Sequence, residues 1–163
     1  KLAPFMESAV LAMQKRDWIS VGHRGQSVAC LRGASPSNID NGSSNYKIAP
    51  SIGAPAARAL QSIGLAKSSG RPVLCMMGNA ALSDGQLFEA LNLAVLQSTP
   101  VIFVVLERNI SNMPIAQSTA VTIDLIAQSI GLQSNTVHDA ETLGQAVSSA
   151  RETGAPTLIR VTI

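Results

Sequence analysis

The chain has 163 residues, 46% of them hydrophobic and only 13% charged, with a net charge of +2 and 3% aromatic residues. That length supports one domain, 1–163. So little charge and so few rings leave little to track phosphates or stack on bases, which argues against a nucleic-acid partner. No apolar run approaches the ~20 residues of a membrane span, and no signal-peptide pattern opens the sequence, so a cytoplasmic protein is expected. The mean hydropathy of +0.24 is high for such a domain. It implies a sheet covered on both faces, or a surface that meets a partner, and an oligomer is expected. The two cysteines, Cys30 and Cys75, have no metal-ligand spacing and read as buried free thiols of a reducing compartment.

In chain order, Pro4–Lys15 carries Phe5, Val10, Leu11 and Met13 at helical spacing. Trp18–Val21 reads as a short strand that runs into a loop, Gly22-His23-Arg24-Gly25, and Ser27–Leu31 as a helical turn. Gly33–Ser51 is crowded with Gly, Ser, Asn and Pro and reads as a loop. Ala54–Lys67 is an Ala-rich helix with Pro55 in its first turn, where the missing N–H costs nothing. Val73–Met77 is apolar without alternation, as a strand buried on both faces would be. After a loop, Gly78–Leu82, Ser83 and Gln86 fit a capping box for a helix that ends near Leu96. Pro100–Leu106 repeats the buried-strand pattern, and Glu107–Ser118 is a polar loop. Thr122 or Asp124 caps a helix to Ser129. Leu132–Val137 is a strand, Asp139 caps a helix Ala140–Glu152, and Thr157–Ile163 is the last strand.

Strands that alternate with helices of about a dozen residues imply right-handed crossovers. The fold class is therefore α/β, a parallel sheet sandwiched by helices in a three-layer, Rossmann-like arrangement. Ligands in such folds bind at the carboxyl ends of the strands. Two loops stand there, Gly78–Leu82 and the segment after Leu106. No G-x-G-x-x-G follows a strand, no P-loop occurs, and no G-x-S-x-G elbow exists, so nicotinamide, nucleotide and serine-hydrolase readings lack support.

The segment from Gly78 to Asn109 reads Gly-Asn-Ala-Ala-Leu-Ser-Asp-Gly-Gln-Leu-Phe-Glu-Ala-Leu-Asn-Leu-Ala and then, from Thr99, Thr-Pro-Val-Ile-Phe-Val-Val-Leu-Glu-Arg-Asn. It resembles the motif of thiamin diphosphate-dependent enzymes, which opens Gly-Asp-Gly after a strand and closes on an Asn at the tip of the next. Upstream, Asp17-Trp18 through Gly22-His23-Arg24-Gly25-Gln26 to Arg32-Gly33 is similar to a stretch of the alpha subunit of 2-oxo acid dehydrogenases. Ile52-Gly53-Ala54-Pro55 and Gly154–Ile159 also match that subunit. Transketolase-like enzymes, in which a Gly-His pair lies near the cofactor, are the rival resemblance.

The resemblance implies a thiamin diphosphate-binding domain of the diphosphate type, with thiamin diphosphate and Mg²⁺ as cofactors. Its magnesium ligands would be Asn79, Asn109 and the Ser111 carbonyl. The cofactor site would draw on His23, Arg24, Ile52, Gly53, Gly78, Asn79, Ala80, Ala81, Asn109 and Ser111, and His23 is the candidate for a catalytic role. The implied reaction is decarboxylation of a 2-oxo acid with acyl transfer to a lipoyl carrier. It would need a partner, a pyrimidine-binding domain or beta subunit, that this chain does not contain. Four residues depart from the pattern, and two of them are His23, where the family has Tyr, and Gln26, where it has His. Asn79 stands where the family has Asp, and offers a metal an oxygen without a negative charge. Ala80 stands where the family has Gly, and does not tolerate positive φ. Those departures give the alternative reading, a degenerate homologue with a structural or regulatory role.

Overall fold

The computed structural model describes residues 2–51, 53–108 and 119–163, except for the side chain of His23. Five parallel strands form one sheet: β1 (Trp18–Ser20), β2 (Val73–Gly78), β3 (Val101–Glu107), β4 (Gln133–Val137) and β5 (Thr157–Thr162), in the spatial order β1-β2-β3-β5-β4. The helices are α1 (Ala3–Leu11), α2 (Gln26–Leu31), α3 (Asn38–Asn41), α4 (Ala57–Ser69), α5 (Gly85–Leu96), α6 (Ile123–Ser129) and α7 (Ala140–Thr153).

The unalternated runs do what their composition implies. In β2, Leu74 and Met76 pack into one core with residues of α1, α2 and α7, while Val73, Cys75 and Met77 pack into a second with α4, α5 and α6. The pleat sends successive side chains to opposite faces, so a strand in the middle layer must be apolar throughout. Right-handed crossing explains which helix covers which face. The chain steps in one direction from β1 to β2 to β3 to β4, and α4, α5 and α6 lie on one face. It steps back from β4 to β5, and α7 lies on the other. Among the described residues, no helix is long and apolar enough to cross a membrane.

Several elements differ from expectation. The first helix ends at Leu11 rather than Lys15, because the Gln14 N–H turns to the Asp17 carboxylate at 2.9 Å. α4 begins at Ala57, so Pro55 precedes it instead of lying in its first turn. Ser83 does not cap α5; Asp84, whose place at the helix start also suits a cap, does so and accepts from the Gln86 N–H at 3.0 Å. Asp139 caps α7 as expected, at 2.9 Å from the Thr142 N–H. Glu107 closes β3 rather than opening a loop.

The stretch 33–51 is packed rather than free. Ile39 and Ile48 are buried, and residues 47–49 bond both backbone groups of Ile19, which covers the outer edge of β1. The cysteines also divide: Cys75 is buried in β2 as expected, but Cys30 is exposed on α2, whose short apolar run does not turn it inward.

Candidate functional site

β2 and β3 are in register to their ends, Gly78 opposite Leu106. The chain leaves β2 through a 3-10 turn, Asn79–Ala81, and leaves β1 through a second one, His23–Gly25. These exits and the start of α4 surround a cavity of about 370 Å³ at the carboxyl edge of the sheet. Met6, Met76 and Leu106 form part of an apolar wall, and Arg24, Arg58 and Arg108 supply its charge. No acidic side chain lines it among the described residues.

Four expected residues meet here, Gly78, Asn79 and Ala80 from one motif and Arg24 from the other, and Gly22 lines the cavity beside them. Gly53 and Ala81 do not line the cavity among the described residues; Ala81 is fully buried beside it. Ile52, Asn109, Ser111 and the side chain of His23 lie outside what the structure describes. Ala80 needs no glycine, since the turn Asn79–Ala81 runs at ordinary negative φ.

Asn79 is held in a definite way. Its side-chain oxygen accepts from the Arg108 N–H at 3.0 Å, and its side-chain nitrogen donates to the Arg108 carbonyl at 3.3 Å. The amide thus mimics one more rung of the ladder between the two strand ends, and each of its polar atoms keeps one further site for a bond.

Arg58 was not legible as a site residue. It sits at the start of α4, 9% exposed, and its Nε donates to the Pro55 carbonyl at 3.0 Å. The rest of the guanidinium lies against Gly22, where an added Cβ would stand 2.6 Å from Nη1. Burial lowers its pKa, and none of the salt bridges among the described residues involves it. A positive charge at a helix N-terminus meets the positive end of the helix dipole, so both features favour an anion. The available signal was an arginine in the first turn of a helix with no acidic residue three or four positions away.

Glu107, next in sequence to Arg108, does not neutralise the cavity. Its carboxylate accepts from Arg160 Nε at 2.6 Å, and Arg160 also reaches Asp124 at 3.3 Å. The hydrogen bond to Glu107 raises the Arg160 pKa. Behind Arg58, burial pushes the Cys75 thiol up to about 11, against the pull of the Ser62 and Ser20 side chains and the Arg58 charge, so a neutral thiol backs the site.

A diphosphate fits this donor set, because three arginines line one cavity that no carboxylate lines among the described residues. Magnesium does not fit the described residues: Asn79 brings no negative charge and its oxygen already accepts from the Arg108 N–H, no carboxylate lines the cavity among them, and no group of three His, Cys, Asp or Glu could hold an ion among them.

The dehydrogenase E1 component family matches residues 36–153. No curated protein sequence matches the chain. Among solved structures, a Mycobacterium smegmatis protein assigned as a thiamin diphosphate-dependent enzyme shares 18% identity at a TM-score of 0.69, over 97% of this chain and 31% of that one. Benzoylformate decarboxylase from Polynucleobacter necessarius shares 19% identity at a TM-score of 0.70, over 98% and 32%. Both likenesses are of fold, and the chain spans about a third of the length of either structure.

Proposed function

Since the chain belongs to the dehydrogenase E1 component family, we propose that it holds the diphosphate end of thiamin diphosphate in an enzyme that decarboxylates a 2-oxo acid and passes the acyl group to a lipoyl carrier. The observation that carries the reading is the meeting of Gly22 and Arg24 with Gly78, Asn79 and Ala80 around one cationic cavity. These segments are far apart in sequence and were singled out by two separate parts of the motif.

Thiamin diphosphate, when bound, supplies the electron sink that decarboxylation needs. This chain's residues bind and orient its charged end. Arg24, Arg58 and Arg108 line the cavity and would hold the phosphates, and Met6, Met76 and Leu106 would keep water from one side of it. The pyrimidine end requires a second domain or subunit, which we assign to a partner. The missing carboxylate at Asn79 favours one other reading, a homologue that keeps the fold and the anion site without turning over substrate.

Titration of the purified chain with thiamin diphosphate tests the proposal. Saturable binding is expected, displaced by inorganic pyrophosphate and not by thiamin. Displacement by thiamin alone would put recognition at the other end of the cofactor and remove the diphosphate role.

A further inference from the structure

We propose that this cavity holds its anion on arginine side chains alone, with Arg58 as the central ligand, and that binding needs no metal ion. The inference rests on the diphosphate reading above and specifies how that ligand is held.

The argument begins with Arg58. Arg58 is only 9% exposed as a residue, and a charge so largely removed from water is expected to have a counter-ion. Among the described residues it has only the Pro55 carbonyl, on Nε. Its Nη groups are left at the cavity, packed over Gly22, whose missing side chain makes room for them. The α4 N-terminus adds partial positive charge at the same place. An anion in the cavity removes both penalties together.

The second observation is independent of Arg58. A metal beside the diphosphate is held through carboxylate charge, and the turn after β2 offers only the neutral amide of Asn79, which is bonded to the Arg108 backbone. That pairing also fixes the chain at Arg108, whose side chain lines the cavity. The residue that would have served the metal instead sets a cation in place. A divalent cation entering beside three arginines, with no carboxylate lining the cavity among the described residues, would meet repulsion that water only partly screens. Arginine presents a planar fork that matches phosphate oxygens two at a time, so it replaces the charge of the metal and also its directionality.

The test is calorimetric titration of the full chain with inorganic pyrophosphate, once in EDTA and once in excess Mg²⁺, beside Arg58→Met and Arg58→Lys. Pyrophosphate should bind in EDTA. Magnesium should not strengthen binding, because it competes for the ligand in solution. Arg58→Met should weaken binding by about tenfold or more, the loss expected for hydrogen bonds to a charged group. Arg58→Lys, a charge without the fork, should fall between, and it carries the comparison if the methionine variant does not fold. Binding that appears only with Mg²⁺ would overturn the inference and leave the diphosphate reading standing. Binding in EDTA that neither variant weakens would remove Arg58 from the site and overturn it as well. No binding in either buffer would overturn both the inference and the diphosphate reading.

Discussion

Arg151, on α7, donates through Nε to the carboxylate of Asp17 at 2.6 Å, across 134 residues of chain. Asp17 is fully buried, and it also accepts from the Gln14 N–H just before β1. The pair fastens the late helix α7 to the entry of the first strand. Arg151→Met should lower the unfolding free energy by about 2 kcal/mol, read from the urea midpoint at unchanged slope. That is less than the ~3–5 kcal/mol of a buried carboxylate left with no cation, because the Arg32 charge stands beside Asp17. An unchanged midpoint would mean the pair is screened and idle.

Gly22→Ala tests the cavity from its other side. Gly22 has φ −81° and ψ 179°, which alanine adopts freely. The added Cβ would stand 2.6 Å from Arg58 Nη1 and must push the guanidinium aside. The neighbour is the far end of a flexible side chain, so stability should fall by less than about 1 kcal/mol. Pyrophosphate affinity should fall severalfold all the same. Equal affinity in the variant would show that the position of Arg58 over Gly22 does not matter to binding.

Asn79→Ala should remove two hydrogen bonds worth ~1 kcal/mol each and speed amide exchange at Arg108. Asn79→Asp keeps the acceptor for the Arg108 N–H, loses the donor to its carbonyl, and adds a negative charge. In that variant Mg²⁺ should strengthen pyrophosphate binding, as it should not in the chain as it stands. Calorimetry in EDTA and in Mg²⁺ separates the two, and an aspartate variant indifferent to the metal would contradict the expectation.

The two cysteines should react differently. In the native protein, a thiol reagent at pH 8 should modify exposed Cys30 alone; in denaturant it should modify Cys75 as well. Burial raises the Cys75 thiol from 9.0 to about 11. Between those values the unfolded chain loses a proton that the folded one keeps. This contribution to stability is therefore complete below pH 9 and is lost as pH rises toward 11. Cys75→Ser should flatten that part of the stability profile, and a slope that survives the substitution would assign it to another group.

Much of the architecture was legible because it rests on local rules. Val73–Met77 had to be a covered strand, since no exposed strand could carry five apolar residues in a row. Asp139 had to cap, since an Asp before an Ala-Glu-Thr start has a backbone N–H to accept. The motif segments brought Arg24 and Asn79 to one cavity for a less local reason: both follow strands of a parallel sheet, and all such exits share one edge. What stayed hidden was tertiary. Ile39 and Ile48 are isolated apolar residues in a polar stretch, and nothing nearby says that the edge of β1 needs them. Arg58 reads as an ordinary helix former until Gly22 is seen beneath it. The bond from Asn79 to Arg108 joins residues 29 apart and depends on strand register, which composition does not encode.

The spatial order of the strands has a kinetic consequence. Among the described residues β4 pairs only with β5, and β5 is the last of the five strands in sequence. A chain emerging from the ribosome can dock β1, β2 and β3 against one another, but β4 has no neighbour to join until β5 has been synthesised and threaded in beside β3. The sheet is therefore completed late, when β5 joins β3 through contacts of long sequence separation that make for slow folding. Until then α6 and β4 form a pendant segment with its pairing edge open, and in that interval the protein is most exposed to wrong pairing with another chain.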